Sequence, residues 1–178
     1  MPDDMTFLMG KFPAQLPGDL RYAPRNHMWC RPLTPALLPQ GARGERSPAP
    51  LLQGERGDGR YRFGFTAYAV RLMQDVYFLD WSVSANMPLR YLQEIGHIET
   101  SKAESDLFAP LEGTITAFNA ILLKDPSAIN VDKYAAGWLF EMTGDPSTLV
   151  SVADYHKHLA DNWEHTQRVI KGKINTEE

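Results

Sequence analysis

Two extended segments, residues 92–100 and 105–118, flank a short polar connection that carries Lys102. Glycine and proline interrupt both segments, which is typical of strands and turns rather than of a long helix. The pattern therefore predicts a β-hairpin with a lysine at its tip. A lysine amine on a flexible stem that stands clear of the fold is accessible to a modifying enzyme, so this tip is a candidate modification site.

Strand patterns also precede this hairpin. Aromatic residues alternate with other residues over 61–65, which is the period of a half-buried strand. Residues 75–81 are rich in β-branched and aromatic types and predict a second strand. Between them, residues 66–74 predict a short helix with Thr66 as its N-cap.

After the hairpin the chain predicts a turn at 125–126, a last strand over 137–142 and a helical tail. Ser151 and Asp154 have the spacing of a capping box. Apolar residues recur at helical spacing along the tail, at Val152, Tyr155, Leu159 and Trp163, and we expect this stripe to pack on the strands. Strands in the middle and helices at the edges indicate a small β-barrel or sandwich with helical additions.

Residues 33–60 differ from the rest because Pro, Gly and Arg crowd together without helical or strand period. The segment from residue 35 is echoed by the one from residue 48, which indicates a duplicated insertion. Such a composition buries too little surface to order itself, so we expect a solvated loop. The length of 178 residues suits one domain. We divide it into an N-terminal arm at 1–19, a central domain at 20–150 and a C-terminal helix and tail at 151–178.

Bulk composition restricts partners and compartment. The formal net charge of -4 and the pI near 5.7 argue against nucleic acid, which needs a basic face. A single cysteine, Cys30, cannot form an internal disulfide, and no apolar run is long enough for a bilayer. We therefore expect a cytoplasmic protein that neither enters a membrane nor binds nucleic acid.

Recognisable catalytic motifs do not occur in the sequence. A glycine-rich phosphate loop, a nucleophile elbow and a zinc-type cysteine pair are all missing. His156 and His158 stand two residues apart on the predicted tail helix, which puts them on different faces, and His165 lies further along. His97, near the base of the hairpin, is interpreted as a structural or surface residue. We expect neither a metal site nor catalysis.

The hairpin motif has a specific resemblance. The run from Glu99 to Ala103 around the lysine, followed by Ala109-Pro110 and Gly113, resembles the lipoyl-lysine hairpin of lipoyl domains. Further motifs narrow the resemblance to the H protein family of the glycine cleavage system. They are Tyr22 with His27 and Trp29, the helix entry at 64–69, the strand at 75–80 and the segments 125–130 and 134–139. The resemblance covers about residues 20–159, and the insert makes this chain an atypical member.

The resemblance implies a mostly β barrel-sandwich hybrid, lipoyl/biotinyl-like, with a short internal helix and C-terminal helices. The central domain at 20–150 would be the lipoyl-carrier domain, with lipoate joined to Lys102 by an amide. The residues implied in recognition of the hairpin are Glu99, Thr100, Ser101, Ala103 and Asp106.

By the same resemblance the chain is a carrier and not an enzyme. It would shuttle the aminomethyl intermediate of glycine between glycine decarboxylase, aminomethyltransferase and dihydrolipoamide dehydrogenase. A lipoate ligase or lipoyl transferase would attach the arm. The residues implied in docking of the arm are His27, Met28 and Trp29.

The sequence departs from the family pattern at several places. The family's His-Glu-Trp is His27-Met28-Trp29, so a carboxylate expected near the loaded arm is missing, while Asp106 is retained. Gln74 replaces a usual glycine before the second strand, and the turn at 81–88 lacks the usual pattern. These changes leave open an H-protein-like carrier that serves another pathway, such as sulfur oxidation. An unmodified interaction module is the alternative from a different functional class.

Overall fold

The structure, a computed structural model, describes residues 3–33 and 59–176. Residues 34–58, which make up nearly all of the predicted insert, lie outside the described residues. The strands are β1 (Met5–Met9), β2 (Phe12–Leu16), β3 (Arg21–Ala23), β4 (Met28–Pro32), β5 (Arg60–Phe65), β6 (Val76–Trp81), β7 (Pro88–Leu89), β8 (Glu94–Thr100), β9 (Glu104–Phe108), β10 (Gly113–Phe118) and β11 (Phe140–Gly144). The helices are α1 (Ala67–Met73), α2 (Ala120–Lys124), α3 (Ala128–Val131) and α4 (Val152–Thr176), and a short 3-10 helix, Pro146–Thr148, precedes α4.

The strands form two sheets and a separate N-terminal hairpin. The larger sheet has the order β3-β4-β5-β11-β10-β7, the smaller one has the order β6-β8-β9, and β1 pairs with β2. Neighbouring strands are antiparallel throughout the described residues. The smaller sheet therefore presents β9 as an edge strand, next to β8.

Apolar side chains from the two sheets share one buried cluster. Its members from the smaller sheet are Val76, Leu79, Ile95, Ile98 and Leu107, and those from the larger sheet include Phe63, Ile115, Phe140 and Met142. Burial of apolar surface between two facing sheets is the main stabilising contribution in such folds. The predicted mostly β fold with a short internal helix and a C-terminal helix is confirmed.

The first predicted strand and helix have the expected detailed structure. The alternating aromatic side chains of β5, Tyr61, Phe63 and Phe65, are all buried. The Thr66 hydroxyl accepts a hydrogen bond from the backbone N–H of Ala69 at 3.2 Å, which confirms the N-cap of α1. Together β5 and α1 lead the chain from the larger sheet to β6 of the smaller one.

The N-terminal residues form a folded hairpin that packs against the tail helix. Phe7 of β1 makes edge-to-face contacts with Tyr68 and with Trp163 of α4, at centroid distances of 5.7 Å each. The Ser151 hydroxyl accepts a hydrogen bond from the N–H of Asp154 at 3.2 Å, as the capping box predicts. The first three members of the predicted stripe, Val152, Tyr155 and Leu159, are buried in a second cluster with the hairpin. The boundaries at 19/20 and 150/151 stay a prediction.

Two local predictions need correction, and one short helix was missed. The second extended segment, 105–118, is interrupted by a turn at 109–112 and forms two strands, β9 and β10, in different sheets. The last strand begins at Phe140 rather than at residue 137. Helix α2 was not predicted, because five residues cannot establish a helical period in the sequence. Within the described ranges, none of the helices is long and apolar enough to span a membrane.

Candidate functional site

Lys102 occupies a tight turn between β8 and β9. The N–H of Thr100 donates to the carbonyl of Ala103 at 2.9 Å, which closes the turn. The Thr100 hydroxyl accepts hydrogen bonds from the N–H groups of Lys102 and Ala103, each at 3.1 Å. Because Thr100 is buried, water competes little for these bonds. The backbone at the lysine is therefore held by the threonine two residues before it.

The turn is also tied to the start of β6. The N–H of Ser101 donates to the carbonyl of Asp75 at 3.0 Å, and the N–H of Asp75 lies 3.4 Å from the Ser101 hydroxyl. The Lys102 side chain is exposed, and it has no hydrogen-bond or ion-pair partner among the described residues. A fixed backbone thus carries a side chain that extends into solvent.

Acidic side chains surround this lysine. Glu99 and Glu104 are directly opposite each other on β8 and β9, and Asp106 is opposite His97. The Asp106 carboxylate lies 3.4 Å from Nδ1 of His97. The hairpin residues predicted from the sequence lie next to Lys102 on β8, β9 and their turn: Glu99, Thr100, Ser101, Ala103 and Asp106.

A cleft of about 240 Å³ lies beside the hairpin, between β9, the β3–β4 turn and α1. Its apolar lining comes from β4, β5, α1, β8 and β9: Met28, Phe65, Ala69, Leu72, Met73, Ile98, Leu107 and Phe108. Its polar lining is Arg25, Asn26, His27, Ser105 and Asp106. The cleft combines an apolar wall with a few polar groups, which is the usual character of a site for a small ligand.

His27 stands at the β3–β4 turn with a positive φ of 54° and lines this cleft. Its Nδ1 and the Tyr155 hydroxyl are 2.9 Å apart, and that hydroxyl is 3.0 Å from the Thr66 hydroxyl. Burial, together with a smaller effect of the neighbouring His158, lowers the pKa of His27 to about 4. The imidazole is consequently neutral at neutral pH.

Met28 and Trp29 point to opposite sides of β4, as successive strand residues do. Met28 lines the cleft. Trp29 is fully buried on the other side of β4, and its indole N–H donates a hydrogen bond to the carbonyl of Lys133 at 2.9 Å. Of the docking residues implied by the family resemblance, His27 and Met28 line the cleft, while Trp29 is outside its lining.

Asn26 is a cleft residue that the sequence did not indicate. Its side-chain amide nitrogen donates to the carbonyl of Phe108 at 2.8 Å, which fixes the orientation of the amide. Its Oδ1 atom is buried and has no hydrogen-bond partner in the described residues. A buried acceptor without a partner costs about 1–3 kcal/mol, so this atom suits a ligand that brings a donor. An asparagine in a loop carries no sequence pattern that would have revealed this role.

His156 and His158 of α4 face different neighbours, and His165 is exposed. Nε2 of His156 is 3.2 Å from the carbonyl oxygen of Thr6, whereas the ring of His158 lies 6.1 Å from that of His27.

Among the described residues, one group of three or more His, Cys, Asp or Glu side chains has ligand atoms within 4.8 Å of one another, and it is formed by His97, Glu99 and Glu104.

Comparison with known proteins agrees with this geometry. The family model described as glycine cleavage H-protein matches residues 53–163. A glycine cleavage system H protein from Psychrobacter cryohalolentis is 37% identical over 109 residues, which cover 61% of this chain and 82% of the relative. One from Opitutus terrae is 30% identical over 150 residues, which cover 82% of this chain and 98% of the relative.

A solved structure supports the fold in particular. The crystal structure of a glycine cleavage system H protein from Mycobacterium marinum superposes with a TM-score of 0.58 at 26% sequence identity, and the match covers 83% of this chain and 98% of that one. The predicted barrel-sandwich fold is thereby confirmed. Because the family model spans more than half of the sequence, the chain belongs to the glycine cleavage H-protein family.

Proposed function

We propose that this chain is the lipoyl-group carrier of a glycine cleavage system and bears lipoate in amide linkage on Lys102. One observation carries the proposal: the Lys102 side chain is exposed at a turn whose backbone is held by Thr100 and Ser101. A modifying enzyme needs an amine that it can reach in a fixed surrounding structure. Membership of the family supplies the identity of the group.

The residues present fit such a group. Amide formation removes the charge of Lys102, and the side chain has no ion pair among the described residues that would be lost. Thr100 and Ser101 keep the backbone in place when the arm moves. We propose that Glu99, Ala103 and Asp106, together with these two residues, form the surface that a lipoate ligase or lipoyl transferase recognises.

The protein's own contribution would be tethering rather than catalysis. When attached, lipoate would supply a disulfide that is reduced as one sulfur accepts the aminomethyl group of glycine, whose carboxyl group leaves as carbon dioxide, and that oxidation later regenerates. We propose glycine decarboxylase, aminomethyltransferase and dihydrolipoamide dehydrogenase as the partners. A tether raises the effective concentration of the arm at successive active sites, which is the physical basis of a carrier.

We further propose that the loaded arm docks in the cleft lined by His27 and Met28. Asn26 and Asp106 both line this cleft, and the Oδ1 atom of Asn26 has no hydrogen-bond partner among the described residues, so it is a candidate acceptor for an ammonium group. Neutral His27 does not repel a positive charge. Trp29 would support the cleft by packing behind β4 rather than by contact with the arm.

Intact mass of the protein purified from its native cell tests the carrier function. We expect the mass increment of one lipoyl group in the wild type and its loss in Lys102→Arg. Lys124→Arg, a change at another exposed lysine, serves as the matched control and should keep the increment. An unmodified wild type in native material would contradict the proposal and favour the interaction module.

A second candidate function is a lipoyl carrier for another pathway, such as sulfur oxidation. The observation that favours it is Met28, whose apolar side chain lines the cleft where the family has a carboxylate. Lipoylated protein should be mixed with glycine decarboxylase, and exchange of the glycine carboxyl group with labelled bicarbonate should be measured. Full lipoylation without exchange would favour this second candidate, whereas exchange would exclude it as the sole function.

A further inference from the structure

We propose that the outer face of the lysine hairpin binds a divalent transition-metal ion, such as Zn²⁺, through His97, Glu99 and Glu104. One ligand atom from each of these side chains can be chosen so that all lie within 4.8 Å of one another. Metal–ligand bonds of about 2.0–2.2 Å allow two ligands of one ion to be at most about 4.4 Å apart, so small rotations of these side chains would bring their ligand atoms to a shared ion. The three proposed ligands lie outside the cleft lining, and the proposal does not depend on the carrier function.

The strand pairing brings these side chains together. His97 and Glu99 are two residues apart on β8, so they project from the same face, and Glu104 is directly opposite Glu99 on β9. Nε2 of His97 lies 3.9 Å from the Glu99 carboxylate. Asp106, at 3.4 Å from the other ring nitrogen, can orient the imidazole from behind, as outer carboxylates do for metal-bound histidines.

Electrostatics give an independent reason for a cation here. Like charges directly opposite each other on neighbouring strands destabilise a hairpin, and Glu99 faces Glu104. No lysine or arginine nitrogen among the described residues lies within ion-pair distance of either carboxylate. A bound divalent cation would replace this repulsion by attraction to both groups.

Exposure and donor type indicate the class of ion. The side chains of His97 and Glu99 are 37% and 28% exposed, so an ion can reach them and water can complete its coordination. Mg²⁺ and Ca²⁺ prefer sites made of oxygen atoms alone. An imidazole nitrogen with carboxylate oxygens instead suits Zn²⁺ and similar transition metals.

The charge of Lys102 should oppose this binding. The lysine lies in the turn between Glu99 and Glu104, so its ammonium raises the local potential that a cation meets. Lys102→Gln removes the charge without any modification chemistry. We expect it to tighten Zn²⁺ binding by about two- to fivefold at low ionic strength, and less at high salt.

Isothermal titration of Zn²⁺ into the full, tag-free chain tests the site. We expect one ion per wild-type chain, with excess Mg²⁺ unable to compete. His97→Ala and Glu104→Gln should each weaken binding by about tenfold or more. The matched controls are His165→Ala, which removes an exposed histidine from α4, and Glu112→Gln, which neutralises an exposed acid outside the cluster, and both should bind as the wild type does.

Two further measurements keep the test decisive. Thermal unfolding of each variant without metal checks that the fold is retained, as the exposure of these side chains leads us to expect. The imidazole signals of His97 in NMR spectra should shift on addition of Zn²⁺ before those of the other histidines. Absence of binding to the wild type, wild-type affinity in His97→Ala, or equal weakening in His165→Ala would overturn the proposal.

Discussion

The Thr100 hydroxyl accepts a hydrogen bond from the backbone N–H of Lys102 at 3.1 Å. The same oxygen accepts a hydrogen bond from the N–H of Ala103, so one buried side chain holds the backbone N–H groups of both Lys102 and Ala103. A methyl group in place of this hydroxyl accepts no hydrogen bond and would leave the two N–H groups unbound. The conformation of the turn that carries Lys102 is thus held by the threonine rather than by the exposed lysine side chain.

Thr100→Val, which keeps the shape but removes the acceptor, should leave two N–H groups without their partner. We expect a loss of about 1–3 kcal/mol in the free energy of unfolding and a lower kcat/KM for lipoylation of Lys102 by a lipoate ligase. Urea unfolding and a ligase assay measure the two effects. Thr100→Ser should restore both, and an unchanged ligase rate in Thr100→Val would show that the hydrogen bonds are dispensable.

Gln74 has φ 63° and ψ -135°, a conformation that favours glycine. The strain of a non-glycine residue there is of order 1–3 kcal/mol, and glycine adds an entropy cost of about 0.5–1 kcal/mol to folding. Gln74→Gly should therefore stabilise the protein by about 1 kcal/mol, measured as a higher urea midpoint. Asn86→Gly is the control, because asparagine at φ 71° tolerates the left-handed region better. A lower midpoint for Gln74→Gly would contradict the strain.

The free energy of unfolding should decrease as the pH is lowered from about 6.5 to 4. His27 is neutral in the folded protein because burial lowers its pKa to about 4, whereas in the unfolded chain it titrates near 6.5. The unfolded state therefore binds an additional proton in this window. The stability due to neutral His27 is complete above pH 6.5 and is lost as the pH falls towards 4, by about 3 kcal/mol.

Variants can isolate this contribution. His27→Asn cannot titrate and tolerates a positive φ, so its free energy of unfolding should change less between pH 6.5 and 4 than that of the wild type. Urea unfolding at a series of pH values measures the slope. His165→Asn, on the exposed side of α4, should keep the wild-type slope. Equal slopes in His27→Asn and the wild type would show that other groups carry the pH dependence.

Asn26 should protect the loaded arm if the proposed docking is right. Asn26→Ala removes the acceptor in the cleft and the bond to Phe108, so we expect the lipoyl-bound aminomethyl unit to be lost about tenfold faster. The rate of formaldehyde and ammonia release measures this lifetime. Asn162→Ala, which removes an asparagine from the exposed part of α4, is the matched control. A wild-type lifetime in Asn26→Ala would exclude Asn26 from docking.

Local patterns predicted the parts of the fold that depend on neighbouring residues. The alternation of Tyr61, Phe63 and Phe65, the N-cap at Thr66 and the lysine at the hairpin tip all rest on spacings of a few residues. Such spacings are set by the periods of strand and helix, which a sequence displays directly.

Features that join distant segments were not predictable in this way. The N-terminal hairpin has Pro13 inside β2, and its burial depends on α4, more than 130 residues later. The cleft similarly combines the turn at 25–28, α1 and β9, and none of these segments indicates the others. That Asn26 Oδ1 is buried without a hydrogen-bond partner among the described residues can be recognised only once the three elements are in place.

The bond from Asn26 to the carbonyl of Phe108 also has a consequence for recognition. Strand β9 is an edge of its sheet, and an edge is where a foreign strand can add by main-chain pairing. The amide occupies one of the carbonyl positions that such a strand would need, and exposed acids at Glu104 and Asp106 discourage its approach. A strand that added to this end of β9 would therefore have to displace the Asn26 amide, so the bond disfavours sheet extension at Phe108.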